Sequence, residues 1–370
     1  MNPVIFTVIA TTILGLIHYF GYKRVVRHFH FKPQTKRYYE IFIIINFIGV
    51  FGYILTRYFI NVNNTLYYIL SLSVGVAFVI FIVALFVELF HFILNRTPLD
   101  EQRRLFFKKS SDYAVLGFSG AYIAKATYNG TKLPAIKKFS LNQNLLNTPI
   151  KIAQISDMHI GGLIDREFVR QSVAMINAQN VDIVLITGDL VDAPLEYVTQ
   201  SLEELKELKS KYGTYYILGN HEYFHEPLKT LEYIKKIGIN VLENDSVIIN
   251  NQFNLIGVND LFGERIDVLK PDLTKATQNI DTTLPNLLLA HQPKFIKYLR
   301  SFKPHLMLSG HTHGGQIWPF KYLVSLDQPF VKGLHEISKN SYIYVNSGIG
   351  FWGPPMRLGS QAEITIIEWS

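Results

Sequence analysis

Residues 306–315 read Leu-Met-Leu-Ser-Gly-His-Thr-His-Gly-Gly, a short apolar run followed by a glycine and two histidines. An apolar run of this length, bounded by glycine or polar residues, is typical of a buried strand. Because alternate residues of an extended segment face the same way, His311 and His313 can point at one bound group. The stretch predicts a strand whose carboxyl end presents two histidines.

Four earlier apolar runs, at 150–156, 181–187, 214–218 and 284–290, end in the same manner. The side chains that follow them are Asp157 and His159, then Asp189, then Asn220 and His221, then His291. In open α/β sheets, ligands bind at the carboxyl ends of the strands. We therefore expect all of these side chains to meet at one edge.

Stretches with helical spacing separate these runs, at 166–178, 195–211, 227–237 and 293–302. Pro227 and Pro293 stand where proline is tolerated, in the first turn of a helix. The later runs 247–250, 254–258, 342–345 and 363–369 predict additional strands. The fold class is α/β, with mixed strands packed between helices.

The residues at the strand ends offer a ligand set without sulfur, since the chain has no cysteine. Two carboxylates, one amide oxygen and four imidazoles give seven donors: Asp157, His159, Asp189, Asn220, His291, His311 and His313. One ion with open positions takes three or four protein ligands, so seven donors suit two ions that share a bridge. Mixed nitrogen and oxygen ligation favours Mn, Fe or Zn over Ca or Mg.

At these residues the sequence resembles the calcineurin-like metallophosphoesterases, including their membrane-anchored bacterial branch. The resemblance rests on five blocks in the family's order: Asp-Met-His-Ile-Gly-Gly, Gly-Asp-Leu-Val-Asp, Gly-Asn-His-Glu, Ala-His-Gln-Pro and Gly-His-Thr-His-Gly-Gly, at 157–162, 188–192, 219–222, 290–293 and 310–315. It implies a four-layer αββα sandwich over residues 131–370.

The resemblance also implies a role for each residue. Asp157, His159 and His313 hold a first metal ion, Asn220, His291 and His311 hold a second, and Asp189 bridges the two. His221 is the non-ligand histidine that assists the leaving group or binds phosphate. The activity implied is hydrolysis of a phosphoester, monoester or diester, by a metal-bridging hydroxide.

Several positions have two interpretations. Asp192 stands where purple acid phosphatases carry a tyrosine ligand, but we favour a simple helix cap for it. Arg357 resembles a basic, substrate-binding position of this branch, and an ordinary surface arginine is the alternative. Trp318, Phe351 and Trp352 are either pocket residues or core residues.

The first 130 residues form a membrane region rich in long apolar runs. Three of them, at 3–22, 41–60 and 66–94, reach the roughly 20 residues that a helix needs to cross a bilayer. Residues 1–130 carry 13 Lys and Arg against 5 Asp and Glu, whereas residues 131–370 carry 23 against 24. The positive charge thus belongs to the membrane region, which argues against a nucleic-acid-binding surface on the domain.

Basic residues lie between the first two runs and after the third, which places the N-terminus outside under the positive-inside rule. A fourth stretch, 113–128, is apolar but short and contains Lys125. The preceding Arg103-Arg104-Leu105-Phe106-Phe107-Lys108 resembles a twin-arginine translocation signal. If 113–128 crosses, the catalytic domain is extracytoplasmic, which we favour; the alternative is an interfacial helix.

Together these features predict a membrane-anchored, dinuclear phosphoesterase whose substrate is a lipid or envelope component. The alternative is a membrane-anchored scaffold that keeps the fold without catalysis. The unsubstituted ligand set argues against that alternative.

Overall fold

A computed structural model describes residues 3–58 and 62–370 and divides them into two compact units. One unit contains residues 3–129 together with the short segment Gly353–Met356. The other contains residues 130–352 and 357–370. The end of the second predicted span, at residues 59–60, lies outside the described residues.

The first unit is helical: α1 is Pro3–Arg24, α2 is Pro33–Tyr58, α3 is Asn64–Arg96 and α4 is Glu101–Gly130. Within residues 3–58 and 62–370, three helical segments are long and apolar enough to cross a membrane, namely Val4–His28, Pro33–Thr56 and Asn64–Arg96. This confirms the prediction of three apolar helices. Small residues permit close packing among them, since a Cβ on Gly49 would lie 2.1 Å from Ser73 Oγ.

The stretch 113–128 lies inside one continuous helix, α4, together with the arginine pair before it. Asp112, directly before that stretch, is buried. Its Oδ2 accepts a hydrogen bond of 2.7 Å from the backbone N–H of His30 and lies 2.9 Å from His30 Nδ1. These bonds hold the middle of α4 against the segment that joins α1 to α2.

The second unit contains two six-stranded sheets. The first has the strand order β1-β12-β2-β3-β4-β5 and the second the order β10-β11-β9-β8-β7-β6. The strands are β1 Ala135–Leu141, β2 Ile150–Ile155, β3 Ile183–Thr187, β4 Thr214–Ile217, β5 Asn240–Val241, β6 Asp245–Ile249, β7 Phe253–Gly257, β8 Asn286–Leu289, β9 Leu306–Ser309, β10 Gly333–Ser338, β11 Ser341–Val345 and β12 Glu363–Trp369.

Helices cover the outer faces of both sheets. On the first sheet lie α5 Arg166–Asn177, α6 Leu195–Glu203 and α7 Pro227–Lys236, each with an apolar side packed into one core cluster. The second sheet is covered by α9 Leu273–Ala276 and the 3-10 helix Pro293–Tyr298. The short helices α8 Phe262–Ile266 and α10 Lys321–Asp327 complete this unit.

A separate apolar core lies between the sheets and includes Ile152, Leu185, Leu287, Leu306 and Trp369. The polar amide of Gln154 crosses this interface, since its Nε2 donates to Thr187 Oγ1 at 3.0 Å and to the carbonyl of Ser309 at 2.9 Å. Two sheets face to face, with helices outside each, confirm the α/β class and the αββα layering.

The structure corrects two predicted helices and adds strands. Residues 293–302 form a 3-10 helix over Pro293–Tyr298, and the helix at 195–211 ends at Glu203, followed by a 3-10 turn. The strands β1, β5 and β10 were not predicted. They lie at or near sheet edges, where one face stays exposed and the apolar run that marks a buried strand is missing.

Replacing Leu287 with alanine should destabilise the second unit, because the side chain is fully buried between the sheets. Loss of a buried leucine costs about 2–5 kcal/mol in transfer and cavity terms. Thermal unfolding of the purified full-length chain in detergent would measure this. The matched change Leu334→Ala, at a position 40% exposed on β10, should cost less than about 1 kcal/mol. Equal losses in the two variants would contradict the role of the inter-sheet core.

Candidate metal centre

Five strand ends deliver the predicted ligands to one place. In the first sheet, the adjacent parallel strands β2, β3 and β4 precede Asp157, Asp189 and Asn220. In the second sheet, the adjacent parallel strands β8 and β9 precede His291 and His311. Since the sheets pack face to face, these carboxyl ends converge from both sides.

Glycines directly before three ligands allow the loops to approach. A Cβ on Gly219 would lie 2.2 Å from Asp189 Oδ1, and one on Gly188 would lie 2.6 Å from His291 Nδ1. A Cβ on Gly310 would lie 1.9 Å from Ser156 Oγ. Contacts this short do not occur between real side chains, so only glycine fits. The sequence contains these glycines, but only the structure shows why glycine is needed at these positions.

Five of the seven predicted ligands have left-handed backbone conformations. Their φ angles are 53° for Asp157, 53° for His159, 51° for Asp189, 70° for His311 and 49° for His313. A residue other than glycine in this region costs of order 1 kcal/mol or more, and such residues concentrate at functional sites. The fold therefore maintains strained backbone in order to aim these side chains inward.

One group of donors consists of Asp157, His159 and His313, whose ligand atoms all lie within 4.8 Å of one another. His159 Nε2 and His313 Nε2 are 3.0 Å apart, and His313 Nε2 is 3.5 Å from Asp157 Oδ1. Two imidazole nitrogens and a carboxylate oxygen that face one point are a suitable partial shell for a divalent cation.

A second group contains Asp189, Asn220, His291 and His311. Asn220 Oδ1 lies 2.8 Å from His311 Nδ1 and 3.2 Å from His291 Nε2. Asp189 Oδ2 is 3.2 Å from His291 Nε2 and 3.8 Å from His159 Nε2. Asp189 therefore lies between the two groups.

The hydrogen bond of His291 suits a metal ligand. Its Nδ1 lies 2.7 Å from the carbonyl oxygen of Thr187, which can only accept, so Nδ1 carries the proton. The Nε2 lone pair is thereby directed at Asp189 and Asn220. Such an outer partner is the usual way in which proteins orient a histidine ligand.

Burial sets the charge state of the cluster. Burial raises the pKa of Asp157 to about 6 and lowers the pKa of His159 and of His311 to about 3. Burial also opposes ionisation of Asp189, but the neighbouring His291 and His221 hold its pKa well below the usual value. Burial disfavours protonation of His291, but the adjacent Asp189 raises its pKa well above the usual value. His159 and His311 therefore already hold the neutral state that cation binding needs, whereas His291 would release its proton on binding a cation. The donor set therefore fits divalent ions.

His221 lies beside the cluster and is held by Asp192. The Nδ1 of His221 is 2.7 Å from Asp192 Oδ1, and its backbone N–H donates to Asp189 Oδ1 at 2.8 Å. The favoured interpretation of Asp192 as a helix cap is wrong, because α6 begins at Leu195 and its N-cap residue is Pro194. The carboxylate instead orients the histidine.

Glu222 was not assigned a role from the sequence, although it belongs to the Gly-Asn-His-Glu block. Its side chain is buried, and its carboxylate accepts four backbone hydrogen bonds. Oε1 accepts from Leu190 at 2.6 Å and Val191 at 3.0 Å. Oε2 accepts from Gly219 at 2.8 Å and Asp189 at 3.2 Å. Glu222 thus ties the loop after β3 to the loop after β4.

Arg357 is fully buried, so the alternative of a surface arginine is wrong. Its guanidinium donates to the carbonyl oxygens of Ser347 and Gly350, at 2.9 Å and 3.0 Å, and lies 3.1 Å from His313 Nδ1. Burial lowers its pKa to about 10. Contact between Arg357 and substrate stays a prediction.

The aromatic residues differ from one another. Phe351 belongs to the core of the first sheet, whereas Trp352 is 48% exposed. Trp318 is intermediate in exposure.

Replacing Glu222 with glutamine should loosen both loops. One carboxylate oxygen becomes an N–H₂ donor that faces two backbone N–H groups, and unsatisfied buried groups cost about 1–3 kcal/mol each. We expect a melting temperature lower by several degrees and weaker Mn²⁺ binding, measured by calorimetry on the full-length chain. The matched control Glu226→Gln changes an exposed side chain and should alter neither quantity. Wild-type values for both variants would contradict the proposed tie.

Comparison with known proteins identifies the family of this chain. Residues 150–315 match the family model described as calcineurin-like phosphoesterase. The chain is 35% identical to an uncharacterised metallophosphoesterase of Helicobacter pylori, over 96% of each chain. It is 30% identical to an uncharacterised metallophosphoesterase of Campylobacter jejuni, over 98% of each chain.

A third relative, a transmembrane protein with metallophosphoesterase domain from Bos taurus, is 34% identical over 58% of this chain and 52% of its own. The family model spans the residues from Asp157 to His313, and the two bacterial relatives match at least 96% of the chain. The chain therefore belongs to the calcineurin-like metallophosphoesterases.

Proposed function

We propose that the second unit hydrolyses a phosphoester at a centre of two divalent metal ions, within a catalytic domain that spans residues 131–370. One observation carries this proposal. Two groups of largely buried donors face each other across the single carboxylate of Asp189, whose Oδ2 lies 3.2 Å from His291 Nε2 and 3.8 Å from His159 Nε2. A shared carboxylate between two partial shells is what a dinuclear site requires.

We assign Asp157, His159 and His313 to one ion and Asn220, His291 and His311 to the other, with Asp189 as the bridge. Mn, Fe and Zn all suit this nitrogen and oxygen set. Bound divalent ions would supply charge neutralisation for the phosphoryl oxygens and would acidify a water into a nucleophile at neutral pH.

Residues of the chain orient the groups at the site, and one of them supplies a proton to the leaving oxygen. Asp192 accepts from the Nδ1–H of His221, and we assign Nε2 as the nitrogen that faces the leaving oxygen. The carboxylate also stabilises the protonated imidazole, so His221 can donate a proton as the ester bond breaks. The main-chain N–H groups of His221 and His311 orient Asp189 and Asp157, respectively.

The chain is associated with a membrane through its apolar helices, and this guides the choice of substrate. A tethered domain meets membrane-bound phosphoesters at high local concentration. We therefore propose a lipid or envelope component as the substrate class.

Asp189→Asn should abolish catalysis while the fold survives, because the amide keeps the shape but removes the shared negative charge. We expect hydrolysis of an aryl phosphate to fall by more than the 10–100-fold that is typical for loss of an outer-shell partner of a metal ligand. Phosphate release by the Mn²⁺-loaded, detergent-purified chain would measure this, with metal content determined in parallel.

The matched control is Asp267→Asn, at an exposed position that pairs only with Lys270 in the described salt bridges. It should retain wild-type activity. An active Asp189→Asn enzyme would contradict the proposed centre. A wild-type chain that binds two ions and hydrolyses no phosphoester would favour the scaffold interpretation.

We propose in addition that the chain is multi-pass and that α4 carries the domain to the extracytoplasmic side. Asp112 is bonded to His30, in the basic segment between α1 and α2 that the positive-inside rule places in the cytoplasm. The 18 residues from Tyr113 to Gly130 extend about 27 Å as a helix. This length approaches the hydrocarbon thickness of a bilayer.

Single cysteines would test this orientation without background, since the natural chain has none. We expect a membrane-impermeant maleimide to label Lys211→Cys, an exposed position of the domain, in intact cells. Gln34→Cys, at the start of α2, should be labelled only after lysis. Protection of Lys211→Cys until lysis would place the domain in the cytoplasm.

A further inference from the structure

Two half-exposed aromatic rings lie beside His221 and have no part in the proposed chemistry. Phe224 and Trp352 are each 48% exposed. Their ring centroids lie 5.3 Å and 6.3 Å from the imidazole of His221, at interplanar angles of 79° and 77°. Both rings therefore stand next to the histidine that would face the leaving oxygen.

Phe224 is supported from behind by a second aromatic residue. It ends the 3-10 turn Glu222–Phe224, and its ring lies 5.1 Å from that of Phe262 at an angle of 79°. Phe262 also packs against Tyr223, which is buried, at 5.8 Å. Edge-to-face contacts of this kind are favourable beyond simple burial. The exposed face of Phe224 thus belongs to a rigid wall.

Trp352 is held by two backbone hydrogen bonds to one side chain. Gln316 Oε1 accepts from the N–H of Trp352 at 2.9 Å, and Gln316 Nε2 donates to its carbonyl at 2.8 Å. Gln316 is buried and follows the His311-Thr312-His313-Gly314-Gly315 loop directly. The backbone from which the indole projects is therefore fixed relative to the loop that carries two of the assigned ligands.

We propose that Phe224 and Trp352 form a subsite for an apolar leaving group of the phosphoester. The inference rests on the proposed function, which places the phosphoryl group at the metal centre and its leaving oxygen at His221. The carbon skeleton attached to that oxygen then lies against the two rings. Half-exposed aromatic surface gains from contact with hydrocarbon and gains nothing from a small, fully hydrated alcohol.

An aryl group and an alkyl chain would both bind to such an apolar surface. Two pairs of substrates distinguish between these two kinds of leaving group. One pair is 2-naphthyl and phenyl phosphate, and the other is hexyl and ethyl phosphate, each prepared as the monoester and as the methyl diester. Within a pair the leaving groups are similar in acidity. The kcat/KM of the larger ester divided by that of the smaller ester therefore reports contact with the larger apolar group.

Trp352→Ala and Phe224→Ala should each lower this ratio about tenfold relative to the wild-type chain, a change of the size that one methylene or more makes in an apolar pocket. A lower ratio in the naphthyl pair alone identifies an aryl leaving group, and a lower ratio in the hexyl pair identifies an alkyl one. The assays use the full-length, Mn²⁺-loaded chain in detergent, with metal content and melting temperature measured for every variant.

Tyr298→Ala is the matched control, because Tyr298 is 42% exposed and stacks on Phe295, on the outer face of the second sheet. It should leave both ratios at their wild-type values. Folded, metal-loaded Phe224→Ala and Trp352→Ala chains with unchanged ratios, or with equal losses for both members of each pair, would overturn the subsite and leave the proposed function intact. A wild-type chain that hydrolyses none of the substrates would overturn both.

Discussion

The metal centre depends on the close approach of two sheet edges. An apolar core between the sheets, with Leu185, Leu287 and Leu306 fully buried, brings the carboxyl ends of five strands together. Glycine at 188, 219 and 310 then removes the Cβ atoms that would hold the loops apart. Packing between the sheets sets the distance between the two sheet edges. The glycines allow the ligand-bearing loops to approach one another at that distance. Without either, Asp157 and His311 would belong to separate surfaces.

This approach buries groups that would otherwise be strongly disfavoured away from water. Asp157 and Asp189 are almost completely buried, and backbone N–H groups of His311 and His221 donate to them. Glu222 performs the complementary task, since its carboxylate satisfies four N–H groups of two ligand-bearing loops. The left-handed φ angles of five ligands add strain that these hydrogen bonds offset. The result is a preorganised set of donors, the condition for efficient electrostatic catalysis.

In our proposal, the residues around His221 connect proton donation with the choice of leaving group. Asp192 fixes one nitrogen of the ring, while Phe224 and Trp352 present apolar surface beside it. We propose that a histidine so placed serves a leaving group whose oxygen accepts a proton and whose carbon part avoids water. Membrane association through three apolar helices is consistent with such a substrate, because hydrophobic phosphoesters concentrate at the bilayer.

The sequence by itself determined the α/β class, the three apolar helices and all seven residues that the structure brings together. Strand ends that carry Asp, Asn or His form a local sequence pattern, and short apolar runs indicate buried strands directly. Only the tertiary structure decided the roles of Asp192, Glu222 and Arg357. Each of them contacts residues that are remote in sequence or binds to backbone groups, and no local sequence pattern marks such contacts. The edge strands β1 and β10 were hidden for a related reason, since a half-exposed strand leaves no continuous apolar run. Phe224 and Trp352 likewise come together only in the tertiary structure, where two loops 128 residues apart meet at one imidazole.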